Sequence, residues 1–476
     1  DGPGPGSQVL NNYFTSVSAV TVLANPVADK VETAQQLYTV GEIVPYAIVV
    51  EIPEGVSQSV VVEDLLPAGL EYVSHGFVEG PVGGLVDEPY GGWADIQTLL
   101  ASGVIGPGGS GVTVGPGSGG DLRIEFGDLT NPADNNVLND KFLLVVDARV
   151  VNELANQAGR NLTNETQLTY TDPESGPILV PDPDGGPTIS LIEPVLGLQK
   201  SVVLGPVSGL DGGDIVTYEV RIDNTLLNGS TAGAFDAVFT DTLPDYMSII
   251  DLRIVDESGF PLLPDAYFRI SDANGGTDNR ISTLLPIDFD LRDFIVLQYD
   301  ARISTSVPPG ETLPNSAELT WTSLEDDTNS GDPDGRRDGS DGVLDDGSLN
   351  DYRLVDVVPV TIADIGPLTK TIIATSDPNT AAGQHVGTQE DLAIGETATF
   401  RVELAFPEVT VSELVISDLL PTAGALDQMS IVSAVLNLAE TDQNLSRYPT
   451  PVISDTNGDG RNDSVVLTFT AVSYTH

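Results

Sequence analysis

Apolar and polar residues alternate in three separated runs of this 476-residue chain: Gly41-Glu42-Ile43-Val44-Pro45-Tyr46-Ala47-Ile48, Gly213-Asp214-Ile215-Val216-Thr217-Tyr218-Glu219-Val220-Arg221-Ile222 and Gly395-Glu396-Thr397-Ala398-Thr399-Phe400-Arg401-Val402-Glu403-Leu404. A period of two is that of a strand with one buried face, and each run opens at a glycine turn. Each is followed by a short phrase ending in Leu-Pro: Glu63-Asp64-Leu65-Leu66-Pro67, Thr240-Asp241-Thr242-Leu243-Pro244 and Ser417-Asp418-Leu419-Leu420-Pro421. The three prolines fall 177 residues apart both times. Such regular self-similarity is the mark of a tandem array.

The spacing divides the chain into units at residues 1–190, 191–360 and 361–476. The joints fall at Pro181-Asp182-Pro183-Asp184-Gly185-Gly186-Pro187 and in the aspartate-rich stretch 326–351, where proline and glycine interrupt the pattern. Units one and two close on similar strands, Asn164-Glu165-Thr166-Gln167-Leu168-Thr169-Tyr170 and Asn315-Ser316-Ala317-Glu318-Leu319-Thr320-Trp321. Unit three stops at Val465-Val466-Leu467-Thr468-Phe469, which matches the earlier run Phe294 to Tyr299, so it is expected to lack its last strand. No amphipathic helix longer than about two turns is predicted; Asp95 to Ala101, inside a glycine-rich insertion at 79–120, is the best candidate. The expected fold class is all-β, a row of tandem immunoglobulin-like β-sandwich domains with the third incomplete.

Leu198-Gln199-Lys200, Gly213 to Tyr218, Asp223-Asn224, Asp241-Thr242-Leu243-Pro244 and Asn315-Ser316-Ala317 together resemble the repeats catalogued as domain of unknown function eleven. The resemblance is strongest in unit two and covers most of the chain in weaker form. It implies an immunoglobulin-like sandwich in a long secreted or cell-surface protein of bacteria or archaea, with an extracellular structural role. Ile52-Pro53-Glu54 and Phe406-Pro407-Glu408 depart from the family's usual Asn-Thr-Gly-like turn.

Composition narrows the function classes. Lys plus Arg number 19 against 71 acidic residues, a formal charge of −52, so the surface repels nucleic acid and anionic lipid headgroups. The acids are 47 Asp and 24 Glu, a bias toward the shorter carboxylate that suits turns and calcium coordination. Without a cysteine, disulfides and thiolate chemistry are excluded. No apolar run is long enough to cross a membrane as a helix. His75, His385 and His476 are scattered, no glycine-rich phosphate loop opens a helix, and no catalytic residue is assigned; the chain is read as not an enzyme.

Of only four lysines, Lys30, Lys200 and Lys370 precede the repeat patterns at intervals of 170 residues. A lysine opening a sandwich, an asparagine on its last strand and an acid between them resemble the set that forms an intramolecular Lys–Asn amide, an isopeptide bond, in many bacterial surface domains. The candidates are Lys200, Asp241 and Asn315 in unit two, and Lys30, Asp64 and Asn164 in unit one. The chemistry needs burial, which favours a neutral amine that can attack and a protonated acid that can assist. Two alternatives stand against it. The lysines could be solvated guards on strand edges, and Asn164-Glu165-Thr166 also reads as a glycosylation sequon, which requires exposure.

The segment Asp455 to Asp463 matches the first nine positions of a calcium loop, with Asp455, Asn457, Asp459 and Asp463 as side-chain oxygen donors, Gly460 at the turn and the Arg461 carbonyl between. Val466 stands where a bidentate glutamate would complete a helix-flanked sensor, and a plain Asp-Gly hairpin turn is the alternative. Calcium is also expected at the joints, through Asp332, Asp334, Asp338 and Asp341 at one and Asp182 and Asp184 at the other, against the reading of solvated acidic linkers. The expected function is a calcium-stiffened subunit of an extracellular fibre, surface layer or adhesin stalk. Self-association by donation of the β-rich Val9–Val22 segment would make it polymerise, the alternative being that this segment is unit one's own first strand. The rival reading is an adhesin that binds a glycan or surface through insertion 79–120, with Tyr90 and Trp93 as stacking residues.

Overall fold

The fold is given by a computed structural model that describes residues 24–31, 36–78, 111–114, 121–131, 133, 140–272, 278–325, 335–340, 349–377, 392–423, 426–427, 429–436 and 449–473. The Val9–Val22 segment, the candidate helix at 95–101, Tyr90, Trp93, Asp332, Asp334 and Asp341 lie outside the described residues. The chain forms two compact units, residues 1–191 and 192–476. Both are built of strands arranged as β-sandwiches, as the alternating pattern predicts.

In the first unit one sheet has the order Val27–Val31, Ile43–Glu51, Lys141–Val150, Leu70–Val78, with every pairing antiparallel. The other has the order Gly176–Pro181, Glu165–Asp172, Gly55–Leu65, Leu122–Asn131, Gly111–Val114, so the last strand comes from within the 79–120 insertion. The inner faces meet in a core that includes Ile48, Val50, Val62, Ile124, Phe126, Phe142 and Leu168. A smaller cluster around Tyr38, Tyr46, Leu70 and Leu162 closes one end.

The second unit repeats this plan. One sheet runs Gly197–Leu204, Ile215–Asp223, Phe294–Ile303, Met247–Ser258. The other centres on Arg353–Ile362, Thr312–Thr322 and Ala234–Thr242. Along Phe294–Ile303 the residues Ile295, Leu297, Tyr299, Ala301 and Ile303 are all buried, which is the period of two made visible. The same unit holds the third repeat's strands: Thr369–Thr375 pairs with Ala398–Glu403, and Thr410–Leu419 with Ser464–Ser473.

In both sandwiches a further strand follows the one that carries or adjoins the candidate asparagine. Gly176–Pro181 flanks Glu165–Asp172, and Arg353–Ile362 flanks Thr312–Thr322. Asn164 and Asn315 therefore do not belong to the last strand of their sandwiches. Gly176–Pro181 is only half-buried and contains Pro177 and Pro181, which suits an edge and hides it from a search for alternating strands.

Truncating the fully buried Leu297 to alanine is expected to lower the stability of the second unit by about 2–5 kcal/mol, whereas Val255→Ala, on a 41% exposed side chain, should change it by less than about 0.5 kcal/mol. Chemical denaturation followed by near-ultraviolet circular dichroism measures both.

Candidate functional site

Lys30 sits on Val27–Val31, an edge strand of the first sheet, yet its side chain is fully buried. It crosses to the opposite sheet and pairs with Asp64 near the end of Gly55–Leu65. Asp64 lies opposite Thr166 in the neighbouring strand, and Asn164 is two residues before Thr166. Residues two apart on a strand share a face, so Asn164 falls diagonally beside Asp64. Asn164 is fully buried, with its backbone N–H donated to the Pro187 carbonyl at 3.1 Å.

Unit two is assembled by the same register. Lys200 is on the edge strand Gly197–Leu204, and its Nζ donates to Asp241 Oδ1 at 2.7 Å with both side chains fully buried. Asp241 pairs with Ala317, and Asn315 is again two residues earlier and fully buried. The structure thus brings together Lys30, Asp64 and Asn164, and separately Lys200, Asp241 and Asn315. These lysines are not solvated edge guards, and burial of Asn164 removes the sequon reading in the folded chain. Lys370 Nζ also meets an aspartate, Asp418, at 2.6 Å, but that pair is partly exposed, at 36% and 20%.

An aromatic ring underlies each ammonium group: Tyr46 at 4.9 Å, Tyr218 at 5.2 Å and Phe400 at 4.6 Å from the ring centroid. In unit two Tyr218 faces Tyr299 across the strand pair, with centroids 5.4 Å apart and planes 21° from parallel. Tyr299 Oη donates to Asp241 Oδ2 at 2.7 Å and accepts from Asn315 Nδ2 at 2.8 Å. In unit one Asp64 Oδ2 and both polar atoms of the Asn164 amide make no hydrogen bond of ordinary geometry, although the amide's nearness opposes the rise that burial gives the Asp64 carboxyl.

Burial dominates the electrostatics. Desolvation lowers the pKa of Lys30 and Lys200 and raises that of Asp64 and Asp241; attraction within each pair opposes this and is the smaller effect. Both shifts favour passing the shared proton from amine to acid, which leaves a neutral amine able to act as a nucleophile. Desolvation also pushes Tyr218 up to about 12 and Tyr299 well above the usual phenol value.

Each lysine is held at its backbone as well. Lys30 N–H donates to Asp182 Oδ2 at 3.3 Å, and Lys200 N–H to Asp356 Oδ2 at 2.6 Å. Asp182 also accepts the N–H of Asp184 at 3.2 Å, and it is buried. The joint at 181–187 is therefore part of the wall of the first site. Gly186 completes it: its φ is +73°, and a Cβ there would collide with the Asn164 carbonyl oxygen. Asp356 and Tyr299 carry no sequence signal, because only the sheet register gives them their roles.

The Asp455–Asp463 loop supplies all-oxygen donors, the chemistry of a hard cation site. Asp455 accepts the N–H groups of Gly458 and Gly460 at 2.6 and 2.8 Å, Asn457 Oδ1 that of Asp459 at 3.0 Å, and Asp459 that of Arg461 at 2.8 Å. Asp463 takes the Thr456 N–H at 2.8 Å and its hydroxyl at 2.5 Å, bonds that hold its carboxyl below the usual range. Among the described residues no three acidic or imidazole side chains converge on a metal position. At the second joint Asp338 accepts the Ser340 N–H at 3.0 Å.

No protein-family model matches the chain, and no curated protein does. The resemblance to domain of unknown function eleven rests on the residues alone. Among solved structures the chain is similar to the C-terminal domain of the Streptococcus agalactiae AgI/II polypeptide BspA, with TM-score 0.33 and 10% identity over 63% of this chain and 98% of that one. It is also similar to the C-terminal domain of the antigen I/II-family protein AspA of Streptococcus pyogenes, with TM-score 0.31 and 11% identity over 64% and 98%. BcpA, the major pilin subunit of Bacillus cereus, gives TM-score 0.27 and 11% identity over 81% and 86%. Likeness at this level carries no argument about function.

Replacing Gly186 with alanine, at a positive φ and against the Asn164 carbonyl, is expected to destabilise the first unit by at least about 1–2 kcal/mol, measured by denaturant unfolding.

Proposed function

We propose that the chain is a non-enzymatic structural segment of an extracellular fibre, surface layer or adhesin stalk, in which two sandwiches are each closed by a spontaneous Lys–Asn amide. One observation carries the reading: two lysines from edge strands are fully buried against aspartates, each with a buried asparagine on the same face. A buried lysine with a single acid has a structural use only at high desolvation cost. Buried with an asparagine on the face that carries its acid, it has a chemical one.

In each unit the neutral amine attacks the side-chain carbonyl carbon of the asparagine, the aspartic acid supplies a proton to the departing nitrogen, and ammonia leaves. The product joins an edge strand of one sheet to the opposite sheet. It constrains the unfolded chain as a disulfide does, by roughly 2–5 kcal/mol, and supplies a covalent staple to a protein without cysteine. Repetition of this design in two sandwiches supports a protein whose task is to keep its shape outside the cell. Calcium belongs to the same proposal as the ion that the oxygen donors of Asp455, Asn457, Asp459 and Asp463 would take, with the Arg461 carbonyl.

Intact mass under denaturing conditions tests the cross-links. The chain should be lighter than its sequence by about 17 Da for each amide, the mass of the ammonia lost, and Asn164→Ala and Asn315→Ala should each abolish one loss. A mass equal to that of the sequence would refute the amides. Melting with calcium and with chelator tests the metal. Calcium should raise the transition that involves the third repeat, and identical curves would remove the ion from the proposal.

A further inference from the structure

The two sites differ at one strand position. Tyr46 faces Val146 across its strand pair, whereas Tyr218, its counterpart, faces Tyr299. Unit one therefore has no hydroxyl where unit two places a phenol in contact with both its acid and its asparagine.

We propose that Tyr299 is a catalytic residue of unit two, relaying a proton from Asp241 to the departing nitrogen of Asn315, while unit one closes without a relay. This rests on the amide reading above. Asp241 Oδ1 is engaged by Lys200 and Oδ2 by Tyr299, so the hydrogen-bonded route from acid to leaving nitrogen runs through the Tyr299 oxygen, in steps of 2.7 and 2.8 Å. All four side chains belong to residues 5% exposed or less. A phenol that desolvation keeps protonated can pass on a proton without resting as a phenolate.

The step balances as follows. With Lys200 as the amine and Asp241 protonated on Oδ2, the Nζ lone pair forms a bond to Asn315 Cγ, and the carbonyl π electrons move to Oδ1, an oxygen that has no other hydrogen bond. The positively charged Nζ gives a proton to Asp241 Oδ1. With Cγ tetrahedral, Nδ2 gains a lone pair and the two hydrogen bonds at Tyr299 reverse: its hydroxyl turns from Asp241 to Nδ2, the Oδ2 proton passes to Tyr299 Oη and the phenolic proton passes to Asn315 Nδ2. The Cγ–Nδ2 bond breaks, its electrons leave with ammonia, and the C=O bond re-forms. Asp241 and Tyr299 each end with one proton, as they began.

The test follows both linkages in the full chain by peptide mapping at timed intervals after cell-free synthesis, with unit one as internal control. Tyr299→Phe should slow the Lys200–Asn315 linkage by about 100-fold or more and leave Lys30–Asn164 unchanged; an unslowed unit two would overturn the relay. To separate chemistry from folding, a fluorinated tyrosine at position 299 keeps the ring and hydroxyl and acidifies the phenol. It should change the unit-two rate alone, and no change would overturn the relay as well. If the unsubstituted chain shows no Lys200–Asn315 linkage, the amide reading falls, which is a different failure from that of the relay.

Discussion

Placing a lysine amine and an aspartate carboxyl inside a β-sandwich is the constraint on which the rest of this structure depends. Neither could stand there charged and unpaired without a penalty of several kcal/mol. The sandwich answers with a direct contact between Lys200 and Asp241, an aromatic face under the amine and an aspartate on the lysine's own backbone N–H. Lys30 has the corresponding set in Asp64, Tyr46 and Asp182. Where the third repeat leaves its Lys370–Asp418 pair partly exposed, water eases the same conflict.

The strand register turns this conflict into a site. Because asparagine stands two residues before the partner of the aspartate in both units, the pleat delivers acid and amide to one face without any special loop. The lysine arrives from the other sheet. Three groups from separate parts of the sequence therefore meet by virtue of the sandwich alone, which explains why the same arrangement occurs twice on different surrounding residues.

Much of this was legible beforehand. The alternation around Tyr46 and Tyr218 marks buried strands, and the equal spacing of the lysines singles them out against a background of 71 acids. Burial itself was not legible, since an edge-strand lysine with a free end looks the same in sequence as one turned inward. Asp182 has a role its Asp-Pro-Asp-Gly phrase did not show: its carboxylate accepts the backbone N–H of Lys30, from a strand distant in sequence. Tyr299 and Val146 sit in similar apolar runs, and only the fold shows that the Tyr299 hydroxyl reaches Asp241 and Asn315.

The position of the glycine-rich insertion has a mechanical meaning. It lies between Lys30 and Asn164 in the chain and contributes the strand Gly111–Val114 to the second sheet. Were position 30 bonded to position 164 as proposed, a pull on the ends of this sandwich would travel through that bond and bypass the enclosed stretch. Whatever the insertion displays would then be sheltered from stretching.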